Sequence, residues 1–231
     1  MANMTKYALE ASLKKLLLQK PLDKITINDL TEDCGISRMA FYYHFKDIYD
    51  LVEWTCMEDA SRALQGKKTY DSWQEGLEQI FEAVLENKPF IMNVYHSVSR
   101  EQIENYLFRL TYQLIMGVVE EKSVGVNITQ EDKTFISEFY KYGFVGIMLD
   151  WIKQGMKADY HVIVEKMSTA LKGNITQEDK TFIAEFYKYG FVGIMLDWIK
   201  QGMKADYHVI VEKMSTVLKG NITNSIQNFS K

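Results

Sequence analysis

TINDLTEDCGISRMAFYYHFKDIYDL, residues Thr26–Leu51, is the stretch on which the reading of this chain turns. Ile27, Leu30 and Cys34 recur at helical spacing and stop at Gly35, which takes the left-handed conformation that closes a helix without steric cost. Ser37 follows as an N-cap whose hydroxyl accepts an otherwise orphaned amide, so a second helix starts at once. On that helix Phe41 and Phe45 share a face four apart and anchor it inward. Met39, Tyr43 and Lys46 lie opposite, Tyr42 and His44 flank them, and Arg38 sits in the opening turn. No acid occurs from Cys34 to Lys46. Two cations, a histidine and two tyrosines on an outward face suit approach to a phosphate backbone and reading of base edges in a major groove. The competing reading, that these aromatics are core of a small helical bundle, requires Tyr42, Tyr43 and His44 all to turn inward beside Phe41 and Phe45, which helical spacing forbids.

Thr26, Cys34-Gly35-Ile36-Ser37, Tyr42, Phe45 and Leu51, with the run Phe41 to Lys46, resemble the amino-terminal DNA-binding segment of the TetR family of transcriptional regulators. The resemblance implies a reading surface from Ser37 to Lys46. Thr26, Tyr42, His44 and Lys46 would meet phosphate, and Arg38, Met39, Ala40 and Tyr43 would face the groove. Arg38 suits a bidentate contact to guanine. Two positions depart from the family pattern: Ile48, where a lysine is frequent, and Cys34, where alanine is usual and a small thiol substitutes. Lys20-Pro21-Leu22, Ile25-Thr26-Ile27, Tyr43 to Asp47 and Tyr49-Asp50-Leu51 further resemble a subgroup described as dihydroxyacetone kinase regulators. That resemblance implies a role near dihydroxyacetone metabolism, with a small-molecule effector or a kinase-like co-regulator protein.

The 231 residues are 47% apolar, enough for a substantial core. The net charge is −4, and the first fifty residues hold seven acids and seven bases, so bulk electrostatics attract no DNA and any contact must be local. Cys34 and Cys56 match neither a metal motif nor a disulfide framework, which points to a reduced cytoplasm. The lysines of the amino terminus interrupt its apolar residues, unlike a signal peptide, and no apolar run approaches the ~18 residues of a membrane span. In that compartment the sequons at Asn127, Asn174 and Asn221 carry no glycan, and Thr129 and Thr176 read as helix caps.

Ile128 to Asn174 recurs as Ile175 to Asn221 with a period of 47 residues, differing only at Ser137/Ala184 and Ala170/Val217. Folding constraints alone do not hold surface positions identical, so the repeat reads as a recent or engineered duplication. Each copy reads as a helical hairpin: Thr129 caps a helix running to about Gly155, and Asp159 starts a shorter one ending at Gly173. The longer helix is apolar almost all round between Phe139 and Ile152 and should be buried on two sides. Gly143 and Gly146 inside it each cost roughly 1 kcal/mol against alanine, compensated if another helix approaches closely.

In the resembling family the last two helices build a four-helix dimer interface. Carried over, this places Phe139, Gly143, Gly146, Ile147 and Trp151 at a homodimer contact. The second copy then folds back on the first in imitation of a dimer, displaces it, or engages another chain. A helical solenoid, the scaffold alternative, needs about three or more repeats with altered ends, and two near-identical copies supply neither.

Between reader and repeat, Asp47 to Val119 reads as four helices: from Asp47 towards Leu64, from Ser72 to Leu85, Phe90 to Val98, and Ile103 to Val119. Trp73, Tyr95, His96, Tyr106 and Tyr112 put polar tips into apolar stripes and are the candidates for lining an effector pocket. No phosphate loop, zinc spacing or nucleophile elbow appears, so an enzyme has little support and no cofactor or metal is expected. The expected chain is all-α: a helix-turn-helix domain over 1–46, a helical effector and dimerisation domain over 47–174, the second hairpin over 175–221 and a tail over 222–231.

Overall fold

The computed structural model describes residues 2–63, 73–97, 100–172, 180–219 and 222–230. Among them every regular element is helical: α1 (Ala2–Leu17), a 3-10 turn (Leu22–Lys24), α2 (Ile27–Cys34), α3 (Arg38–His44), α4 (Ile48–Ala63), α5 (Trp73–Glu86), α6 (Lys88–Tyr95), α7 (Arg100–Lys122), α8 (Gln130–Lys153), α9 (Tyr160–Lys172), α10 (Lys180–Lys200), α11 (Tyr207–Leu218) and α12 (Ile222–Phe229). The chain forms two compact units, Met1–Ala63 with Glu82–Leu107, and Leu64–Phe81 with Phe108–Lys231. This division differs from the expected break after residue 46, because α4 and α6 both pack on α1. Asn93 Nδ2 donates to Leu17 O at 3.1 Å and satisfies a carbonyl at the end of α1, which joins α6 to the reader.

Several boundaries differ from expectation for local reasons. The third helix stops at His44 rather than Lys46, since Phe45 turns extended while its ring stays buried against Phe41. Pro89 lies in the first turn of α6, where its missing N–H costs nothing, so this helix starts earlier and ends at Tyr95. α7 reaches back to Arg100 and on to Lys122. The expected tail folds into α12: Ile226 is buried and Phe229 stands 6.3 Å from Phe135, a stripe three apart that the sequence reading passed over. The expected helix start at Ser72, the expected helix end at Gly173 and the cap at Thr176 lie outside the described residues.

In the second unit, α8 is buried almost all round, as its apolar composition requires. One side meets α5 and its own hairpin partner: Trp73 lies 6.3 Å from Phe144, Trp151 lies 5.0 Å from Phe81, and Tyr160 stacks on Phe81 at 6.0 Å. The other side meets α10, so the second copy folds back on the first. Phe186 covers Gly143 as Phe139 covers Gly190, and Tyr189 covers Gly146 as Tyr142 covers Gly193. Each pair maps onto the other by the repeat period. The Tyr142 hydroxyl donates to Asp197 and the Tyr189 hydroxyl to Asp150, and burial with that carboxylate contact pushes the Tyr189 phenol up to about 12. Such reciprocity is the mark of an isologous contact, here made within one chain. An ideal Cβ at Gly146 would sit 2.1 Å from Tyr189 Cγ, so the glycines are what permits the approach.

Candidate nucleic-acid interface

The turn between α2 and α3 forms as its residues dictate. Gly35 adopts φ 66° and ψ 32°, and Ile36 N–H donates to Thr31 O at 3.0 Å, closing α2. Ser37 Oγ accepts from Ala40 N–H at 3.2 Å and opens α3. Leu30, Phe41 and Phe45 are buried beneath, and Phe45 also meets Trp54 of α4 at 5.7 Å. The seven residues of α3 span about 10 Å, a length that fits a major groove about 12 Å wide.

The outer face of α3 is largely open. Ser37, Arg38, Met39, Tyr42, Tyr43 and Lys46 are exposed, Met39 at 77% and Tyr43 at 82%, while Ala40 and His44 are half-buried. Large side chains this open in a folded domain are free to meet a partner. Arg38 Nη2 donates to the Tyr42 hydroxyl at 3.5 Å, one turn on, and the Tyr43 and His44 rings meet edge to face at 4.9 Å.

The even charge count sorts itself in space. Glu10 pairs with Lys14 and Arg62, Asp33 with Lys15, and Asp29 with Lys20 at 2.8 Å. Asp47 accepts from Asp50 N–H at 2.9 Å and Asp50 from Lys46 N–H at 2.8 Å, so both serve as caps for α4. Arg38 and Lys46 have no carboxylate partner among the described residues. The local positive surface required of this near-neutral domain is therefore present. Sequence reasoning missed Lys6: its ammonium lies 5.6 Å from the Phe45 ring and 5.3 Å from Trp54, adding a cation beside the end of α3. Only folding brings it there, from 39 positions away in the chain.

Thr26 departs from its expected part. Its amide and its hydroxyl each donate to Asp29 Oδ2 at 2.7 Å, and its oxygen accepts from Asp29 N–H at 3.1 Å. Both donors are consumed by the capping box, which leaves Thr26 without one for phosphate in this arrangement. The contacts from Lys20 and then Thr26 hold the Asp29 carboxyl down at about 2.

Of the five residues expected at an effector pocket, Trp73 and Tyr112 lie in one unit and Tyr95, His96 and Tyr106 in the other. Trp73 is buried against Phe144, and Tyr112 lies 5.9 Å under the buried Lys141 ammonium, which also faces Phe108 and Tyr142 and pairs with Glu138. Tyr95 and Tyr106 are buried in the other unit, and His96 is exposed. A cavity of about 300 Å³ opens instead between the two hairpins, lined among others by Glu131, Phe135, Ile194, Trp198 and Lys213. Of the residues expected at a dimer contact, Phe139, Gly143 and Gly146 face α10 of the same chain. Ile147 is buried, and Trp151 corrects the expectation: it points at Phe81 and Tyr160 and donates Nε1–H to Ala158 O at 2.9 Å, within its own hairpin.

A helix-turn-helix with an exposed, cation-bearing second helix, carried on an otherwise helical chain, defines a DNA-reading regulator by class. The family comparisons agree. Residues 10–54 match the model of bacterial regulatory proteins of the tetR family, and residues 71–173 and again 170–220 match that of a transcriptional regulator C-terminal region. The chain belongs to the TetR family and is a DNA-binding transcriptional regulator rather than an enzyme. No curated protein matches its sequence. Among solved structures it is similar in fold to the dihydroxyacetone kinase operon activator DhaS, with a TM-score of 0.59 and 18% identity, covering 74% of this chain and 96% of that one. Members of the family typically act as dimers on operator DNA. No described helix is long and apolar enough to cross a membrane.

Proposed function

We propose that this protein is a cytoplasmic regulator of a metabolic operon, near dihydroxyacetone utilisation, that reads its operator through Ser37 to Lys46. The observation that carries the reading is the exposed face of α3, where Arg38, Met39 and Tyr43 project from a helix anchored by Phe41 and Phe45. In this reading Arg38 takes a guanine edge, Met39, Ala40 and Tyr43 line the groove, and Tyr42, His44, Lys46 and Lys6 approach phosphates. Thr26 sets the start of α2 instead of touching DNA.

The helical second unit senses a small molecule or a kinase-like co-regulator protein. What supports the metabolic assignment is the likeness of the reader segment to the dihydroxyacetone kinase regulators, together with the likeness in fold to a dihydroxyacetone kinase operon activator. Trp73 and Tyr112 remain the candidates for effector contact in that unit, with Tyr95, His96 and Tyr106 in the other. Effector binding acts by changing the separation of two reading heads, and so their fit to half-sites about one helical turn apart or a multiple of it.

Selection of bound duplexes from a random pool by the full chain tests the reading. The expected product is an enriched half-site of a few base pairs whose affinity falls steeply with salt. Absence of any enrichment at low ionic strength would overturn it.

A further inference from the structure

α10 and α11 repeat, residue for residue, the face that α8 and α9 turn towards the rest of their unit. In the first copy Val145, Met148, Ile152, Met156 and Val164 are between 0 and 5% exposed, whereas their counterparts Val192, Met195, Ile199, Met203 and Val211 are between 48 and 58% exposed. The chemistry is identical and the burial opposite. Met156 and Met203 sharpen the contrast. Both have positive φ, 57° and 54°, a strained state for a side chain of this size, and only Met156 has packing around it to hold it there.

The mismatch is one of supply. Two hairpins each carry a face built to lie on a wall such as that of Trp73 and Phe81, and the described residues contain one such wall. Whichever hairpin takes it, the other face is left over. Val192, Met195, Leu196, Ile199 and Met203 recur at three- and four-residue steps, so the leftover is a continuous ridge along one helix. With Tyr207, Val209 and Val211 of α11, also about half-exposed, these positions open a run of apolar side chains on α10 and α11 rather than isolated residues, and covering such a face takes about 800 Å² per partner in a stable interface.

We infer that this ridge is a self-association surface, and that its occupant is the same ridge on a second copy of the chain. The other copy's wall is already covered by its own first hairpin, so the matching apolar surface it offers is its own leftover ridge. Charges beside the ridge in sequence have both signs, Lys200 and Lys204 with Asp206 and Glu212, all exposed. A two-fold axis can set such a mixture opposite itself, while an anionic lipid surface would select cations alone. The contact continues an interface that already exists, giving a stack of α8, α10 and their two counterparts. It would also supply a second reading head to a chain whose glycine face on α8, expected to pair two protomers, is occupied by its own α10. That consequence rests on the proposed operator reading; the assembly itself does not.

Sedimentation equilibrium of the full chain at micromolar concentration tests the inference, beside the double variant Met195→Glu/Ile199→Glu and the single variant Leu196→Arg. All three positions are about half-exposed, so helical signal and melting temperature should persist. The expected result is a dimer for the parent chain and an association constant lowered more than about a hundredfold in the variants, because each would bury unpaired charges. A monomeric parent chain, or variants that dimerise like it, would overturn the inference. Binding of a single half-site duplex, which needs one head, is measured in parallel. Its persistence in a monomeric variant separates the assembly from the DNA reading.

Discussion

Replacing Gly146 by alanine tests the fold-back of the second hairpin through the sign of the stability change. In an unpacked helix the substitution stabilises by about 1 kcal/mol, since alanine loses less conformational freedom. In this structure the new Cβ would meet Tyr189 Cγ at 2.1 Å and Cδ2 at 2.4 Å, against an ordinary carbon separation of about 3.5–4.0 Å. These atoms are the base of the ring, so relief requires α10 to retreat or Tyr189 to give up its hydrogen bond to Asp150. Overpacking of this kind costs about 1–3 kcal/mol, and so close an overlap belongs at the upper end. The net expectation is a loss of about 2 kcal/mol, or roughly 4–8 °C in Tm for a chain of this size. Gly193→Ala should lose the same amount, because Tyr142 Cγ stands 2.0 Å from its Cβ position. Thermal melts followed by circular dichroism measure both. A rise in Tm for either variant, or a large loss for one and none for the other, would refute the reciprocal packing of α8 on α10.

Arg38→Ala should relax preference at one base of the selected site and cost about 1–3 kcal/mol, whereas Lys46→Ala should weaken all sequences alike and reduce the salt slope by about 1; equal behaviour in binding titrations would show the two roles misassigned. Thr26→Ala removes one half of the capping box and should cost about 0.5–2 kcal/mol in a urea melt, with DNA specificity kept, since its donors serve Asp29. Asp29 should titrate at about 2 by NMR. A carboxyl depressed from its ordinary 3.8 contributes stability that is fully present above that value and disappears as pH falls through about 2, so an unshifted midpoint would deny the Lys20 and Thr26 contacts. Cys56 is buried and its thiol pushed up by desolvation, while Cys34 is half-exposed with a contact to Ala8 O at 3.3 Å. A thiol reagent should therefore modify Cys34 in the native protein and Cys56 only after unfolding, and rapid labelling of both would contradict the packing of α4.

What could be read from the residues in order was local. The start of α2 at Thr26, its end at Gly35, the cap at Ser37 and the inward pair Phe41 and Phe45 follow from backbone conformation and helical period, which act within a few residues. The all-helical class and the outward face of α3 follow from the same rules. The 47-residue repeat is a property of the string itself. Tertiary structure decided everything that depends on residues far apart. It put Lys6 over Phe45, turned Trp151 inward to Phe81, and spent donors and acids of the reader domain on caps and ion pairs. It also gave two nearly identical hairpins different surroundings, because burial is set by the surfaces available to cover a face, and the described residues hold a wall for one hairpin only.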